Sequence, residues 1–190
     1  MLPVDPLAMI KLKEIKGNKQ HLSASELQQL QELFNSKSLP DNLQTCLQFF
    51  LFSCYTGLRF SDITKLETTH LLNNCIRITQ QKTDKPVFVP LILQAQELIC
   101  VQQNYRLFKT FTNQPTNRYL KDIMITAGIE KHITYHCSRH TFGTLSIYWG
   151  IPKEVVAEIM GVDMKTVNVY AKMLEEVKIR EMDKWGKVAG

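Results

Sequence analysis

No stretch of this 190-residue chain approaches the ~20 consecutive apolar positions that a membrane span needs, and the opening Met1-Leu2-Pro3-Val4-Asp5-Pro6 has no charged segment leading into an apolar one. Neither a spanning helix nor a secretory leader is expected, and the chain reads as cytoplasmic. The five cysteines, Cys46, Cys54, Cys75, Cys100 and Cys137, are odd in number, scattered, and never spaced as C-x-x-C. That spacing argues against a disulfide framework and a structural zinc site, and leaves buried thiols as the expectation. Internal repeats and low-complexity tracts are also missing, which argues against a solenoid or a disordered tail.

What is present is ordinary for one soluble domain: 44% hydrophobic residues and 23 basic against 18 acidic side chains, a net charge of +5. A chain of this length buries roughly 70% of its unfolded surface without staples. The positive balance leans toward a polyanionic partner but is too small to name one.

The hydrophobic period predicts a mainly α fold with one small antiparallel β-sheet. Residues 1–20, with Lys11, Lys13, Lys16 and Lys19 in no sustained period, read as an incoming linker, and the compact domain is expected over 21–190. Ser23 and Glu26 have capping-box spacing ahead of Leu27, Leu30, Leu33 and Phe34. A second helix starts at Pro40-Asp41, and its Phe49-Phe50-Leu51-Phe52 run is apolar around the whole circumference, as in a central helix. A short helix through Ile63 and Leu66 follows the Gly57 break. Cys75–Thr79 and Pro86–Val89 then read as the two strands of a hairpin. Further helices are predicted over Leu91–Tyr105, Thr116–Ala127, Ser138–Trp149 and Pro152–Met160, with a last one over Lys165–Trp185.

Four strings carry chemistry. In Thr56-Gly57-Leu58-Arg59-Phe60-Ser61-Asp62 a glycine turn presents Arg59 at a helix start, where it is also placed to form an ordinary surface ion pair with Asp62. In Thr134 to Thr144, His136 and His140 stand four apart, as zinc ligands do on a helix. Zinc fits poorly there, because Cys137 replaces the glutamate of such sites and Arg139 brings a fixed cation; the plain alternative is a helix capped by Ser138 with both imidazoles in the core. Tyr170 shares helical spacing with Thr166, Leu174 and Val177, so periodicity alone makes it a packed core residue. Lys82, in Gln81-Lys82-Thr83-Asp84, occupies the hairpin tip.

In this order and with these intervening elements, the strings T-G-L-R-x-S-D, H-x-x-R-H-T-F-x-T and G-(x)-T-x-x-x-Y-A resemble the catalytic domain of tyrosine recombinases, the phage and mobile-element integrase family, over nearly all of the chain from His21. Asn117-Arg118-Tyr119-Leu120-Lys121 is most similar to integrases of bacterial conjugative elements. The resemblance implies phosphoryl transfer on double-stranded DNA without metal or cofactor. Arg59 and Arg139 would grip the phosphate, Tyr170 would attack it, His136 would take the phenol proton, and Lys82 would protonate the departing 5′ oxygen. His140 would act in support. The implied DNA contacts are Arg59, Lys82 and Arg139, and the implied assembly is a tetramer on DNA, with the segment from Leu174 to Trp185 docking on a neighbouring subunit.

Two departures from the family pattern stand out. Met160-Gly161-Val162-Asp163 lacks the histidine or tryptophan expected after the glycine, and the stretch to Tyr170 is one position short. The N-terminal clamp domain of the family is not represented, so residues 1–20 are expected to lead in from it. A degenerate DNA-binding module of the same fold is therefore the alternative, and a helical protein-interaction domain with coincidental motifs is a third reading. That last reading requires Arg59, Arg139 and Tyr170 to lie apart in space.

Overall fold

The run Phe49-Phe50-Leu51-Phe52 is fully removed from water in the computed structural model, which describes residues 20–172 and Met182. It belongs to α2 (Asp41–Thr56), the helix on which α1 (Ala24–Asn35), α4 (Leu93–Glu97), α5 (Asn113–Thr126) and α6 (Tyr135–Tyr148) all pack. A helix apolar on every side has to be surrounded, and this one is. Tyr135 stacks on Phe49 at 5.6 Å, meets Phe50 edge-on at 6.0 Å and donates its hydroxyl hydrogen bond to the Phe49 carbonyl oxygen. The expected mainly helical architecture with a small antiparallel sheet is the one observed.

Among the described residues the sheet has three strands, β1 (Leu71–Leu72), β2 (Cys75–Thr79) and β3 (Pro86–Pro90), in that order and antiparallel. The sequence reading found two of them. It missed β1, whose turn is Asn73-Asn74 with both residues at positive φ (49° and 58°), a conformation that asparagine tolerates and tight hairpins require. β3 packs against α7 (Lys153–Met160), and α8 (Met164–Lys172) closes on α6 and α7. Two apolar clusters result: a large one centred on α2, and a smaller one of Ile147, Val156, Ala157, Met160, Val167 and Tyr170 where α6, α7 and α8 meet.

Other expectations need correction. The helix expected over Leu91–Tyr105 is only the five-residue α4. Beyond it the chain turns back, with Tyr105 at φ 63°, so that Leu107 N–H donates to the Leu66 carbonyl and Thr68 N–H to the Tyr105 carbonyl. An Arg106–Glu67 ion pair at 3.4 Å lies beside this bridge. α6 starts at Tyr135 rather than Ser138: Thr134 is the N-cap, its N–H donating to Cys137 Sγ, and Ser138 is fully buried one turn further in. The short helix after Gly57, α3, ends at Ile63. Of the thiols, Cys46, Cys54 and Cys137 are buried, but Cys100 is exposed. The expected linker over 1–20, apart from its last residue, and the docking segment from Leu174 to Trp185, apart from Met182, fall outside the described residues. Among the described residues no helix is long and apolar enough to cross a membrane.

Candidate active site

Gly57 ends α2 at φ 67°, a backbone state that costs glycine little, and its Cα lies against the Phe142 ring, where a Cβ would come within 2.6 Å. This turn carries the chain off α2 and makes Arg59 the N-cap of α3 (Phe60–Ile63). The buried Asp62 carboxylate accepts from the Arg59 N–H (3.4 Å) and from the Gln81 N–H (3.2 Å), joining the turn to the hairpin. The ion pair that the sequence allows between Arg59 and Asp62 is not formed. The guanidinium instead donates through Nη1 to Gln80 Oε1.

Arg139, on the second turn of α6, is only 4% exposed. It reaches the same place from the other side: Nη1 donates to the Gly57 carbonyl, and Nη2 donates to the Met160 carbonyl at 2.5 Å. Beneath it Ser138 and Ser53 share a hydroxyl contact of 2.6 Å, and Ser53 Oγ donates to the Leu58 carbonyl, so α2, the turn and α6 are pinned together. Burial, and next the proximity of Arg59, hold the Arg139 guanidinium below the ordinary arginine range, at about 10, while Tyr170 and Asp62 work the other way. It remains charged at neutral pH.

Arg59, His136 and Arg139 line one hollow of about 170 Å³, with Leu58, Phe60, Asn113, Tyr135 and Ser138. At about 30 Å³ per water molecule this is room for roughly five or six waters, enough for a small polar group. Its edge is open, since His136 and Asn113 are exposed.

Tyr170 does not line this hollow. It is 3% exposed within the α6–α7–α8 cluster, as helical periodicity alone suggests. Its hydroxyl, however, meets His140 Nδ1 at 3.2 Å, and the His140 ring stands edge-on to His136 with centroids 4.5 Å apart. The phenol thus connects to the hollow through two imidazoles, of which His140, not His136, is in contact. Gly143 makes room for it: a Cβ there would lie 2.7 Å from the Tyr170 ring. Burial raises the Tyr170 pKa above its usual value, and Arg139 and Arg59, both close enough to act on it, oppose that rise. Lys82 stays exposed on the hairpin turn and lines none of this hollow.

Two participants escaped the sequence reading. Asp62 was seen only as a partner for the Arg59 side chain, and it binds the main chain instead. Gln80 was not singled out, although the period-2 alternation of β2 continued from Ile76 and Ile78 places it on the inward face.

This fold is that of a tyrosine recombinase catalytic domain. The chain belongs to the phage integrase family, whose model matches residues 20–176. It is 33% identical over 138 residues to tyrosine recombinase XerD of Lacticaseibacillus casei, a match that covers 62% of this chain and 47% of that protein. Among solved structures it resembles XerA recombinase, with a TM-score of 0.70 and 22% identity over 88% of this chain and 65% of that one. It also resembles XerH site-specific recombinase bound to its difH substrate, with a TM-score of 0.65 and 22% identity over 79% of this chain and 50% of that one. The chain spans about half the length of the XerD relative it matches.

Proposed function

We propose that this chain is the strand-cleaving and strand-joining domain of a site-specific DNA recombinase, acting through a 3′-phosphotyrosyl intermediate on double-stranded DNA in the bacterial cytoplasm. The observation that carries this reading is the convergence of Arg59 and Arg139, from distant parts of the chain, on one open hollow, with the Tyr170 phenol close enough to feel both charges. A helical interaction domain with coincidental motifs has no reason to bring them together.

In the proposed step the two guanidiniums hold the nonbridging oxygens of the scissile phosphate, and they stabilise the added charge of the pentacoordinate state as metal ions do elsewhere. The Tyr170 oxygen bonds to phosphorus while the bond from phosphorus to the 5′ oxygen breaks. The phenol proton passes to the His140–His136 pair, whose second ring reaches the hollow. Lys82, on the exposed hairpin turn, is assigned to protonate the leaving oxygen, because an alkoxide leaves badly. The phosphodiester energy stays in the tyrosyl bond, so a 5′ hydroxyl of another strand reverses the step. Assembly of several copies on DNA is part of this reading. A phenol that is 3% exposed must also move toward the phosphate before attack.

The test is covalent trapping on nicked duplexes of randomised sequence, in which the released strand end diffuses away. An SDS-stable protein–DNA adduct is expected from the wild type and none from Tyr170→Phe; an adduct that persists in that variant removes Tyr170 as nucleophile. The lack of an imidazole or indole after Gly161, in a stretch to Tyr170 that is one position short of the family pattern, favours one second reading, a binding module without competent chemistry. That reading is supported if wild-type protein retains DNA in salt-sensitive fashion yet gives no adduct.

A further inference from the structure

Gln80 is a fully buried amide at the base of the hairpin, and every polar atom of its side chain is engaged. Oε1 accepts from Arg59 Nη1 and from Thr83 Oγ1, the latter at 2.9 Å. Nε2 donates to the Met160 carbonyl at 2.9 Å, the same oxygen that receives Arg139 Nη2. One side chain therefore touches the first arginine, shares an acceptor with the second, and grips the turn that carries Lys82 two residues on. The fit is close: Gly161, at φ 58°, lies so near that a Cβ there would be 2.6 Å from Gln80 Oε1.

We infer that Gln80 is a positioning residue, which aims the Arg59 guanidinium into the hollow and ties the Lys82 hairpin to the end of α7. The inference rests on the reading of Arg59 as a phosphate-holding group. The chemistry favours an amide at this position over its alternatives. A carboxylate would neutralise Arg59 and face the Met160 carbonyl with no hydrogen to donate. An apolar side chain would take from the half-buried Arg59 guanidinium the acceptor that aims it and leave the Met160 carbonyl to Arg139 alone. The neutral amide satisfies both and leaves the charge of the two arginines available to an incoming phosphate. A misplaced reacting group of this kind costs on the order of a hundredfold in rate, even when the substituted residue touches no substrate.

The experiment has two arms. In single-turnover adduct formation on the nicked duplexes, Gln80→Met is expected to lower the saturated rate about 10- to 100-fold while the half-saturating DNA concentration changes less than about threefold. Gln80→Glu keeps the size and one acceptor, and is expected to lower the rate and also to raise the half-saturating concentration, because the carboxylate competes with phosphate for Arg59. Thermal unfolding of both variants identifies a general loss of fold. In the second arm, nitrogen relaxation of the Arg59 side-chain NH groups is measured without DNA. These groups are expected to be ordered in the wild type and motionally averaged in Gln80→Met. A Gln80→Met rate within twofold of wild type overturns the inference, as does unchanged Arg59 order in that variant. If the wild type itself forms no adduct, the recombinase reading fails separately and the relaxation arm alone decides the role of Gln80.

Discussion

At Arg139 the protein keeps a cation almost entirely out of water, tied to two carbonyl oxygens and set beside a second cation. Such a group gains more from an arriving anion than an exposed arginine does, since water no longer screens the attraction. The neighbouring phenol has the opposite problem. Burial raises the Tyr170 pKa above its ordinary value despite both arginines, so at neutral pH the phenol holds its proton and an acceptor for it is required. With His140 in place, adduct formation should not depend on prior ionisation. In His140→Phe, attack is left to the rare phenolate, so the rate should be lower at pH 7 and climb about tenfold per pH unit toward pH 10. A pH–rate profile of the trapped adduct checks this, and a His140→Phe profile parallel to the wild type would assign proton removal elsewhere. The arginines and the tyrosine were legible in the sequence because their strings carry a family pattern. Gln80 was not, since a single glutamine beside another in a turn has no signature until the strand's inward face is known.

Among the elements, legibility followed how local the cause was. α1 was readable from its cap: Ser23 Oγ accepts from Glu26 N–H at 3.2 Å, and Glu26 Oε2 accepts from Ser23 N–H at 2.6 Å. α2 was readable from its all-round apolar surface. α4 and the start of α6 were misread because their bounds are set from afar: the bridge between Glu67 and Arg106 draws residues after α4 out of helix, and a sulfur-assisted cap at Thr134 begins α6 a turn early. The α1 cap also has a tertiary partner. Lys131 Nζ lies 2.6 Å from Glu26 Oε2, and although burial works against it, Lys131 and Ser23 hold the Glu26 carboxyl below its usual pKa. A carboxyl depressed in this way adds stability above its unfolded pKa and loses that contribution as pH falls through the folded value. Ser23→Ala is expected to cost about 1 kcal/mol, read by urea unfolding at pH 7. The loss in that variant should shrink in acid, because the Ser23 hydroxyl also favours the ionised Glu26 carboxyl and that part is gone once the carboxyl is protonated.

The whole molecule is built so that several ionisable groups must stay neutral in the core. Burial pushes the Cys46 thiol up to about 12, and burial, with Cys54 adding to it, pushes the Tyr55 phenol to about 12; Cys54 and Tyr135 lie well above their ordinary values for the same reason. Each holds its proton when folded and releases it more readily when unfolded. Their contribution is therefore complete below the unfolded pKa and is lost as pH rises toward the folded one. Thermal midpoints should be level near pH 8 and fall steadily above pH 9, with Cys46 alone accounting for about 1.4 kcal/mol per pH unit once its unfolded thiol ionises. A midpoint unchanged between pH 8 and pH 10.5 would contradict this account of the core. At this scale the sequence disclosed the fold class and named two remote arginines that line one hollow. It could not disclose that the phenol lies behind the hollow, because that depends on how α8 seats against α6 and α7.

Arg139, which lines the hollow, is tied to two acceptors that no codon specifies, the main-chain oxygens of residues 57 and 160. Genetic drift can exchange the side chain at position 160 for others of similar bulk and leave the guanidinium moored where it is. Alignments of descendants will then show a variable column at the very point where the anchorage is fixed, and chemical replacement of that amide by an ester is the substitution that reaches it.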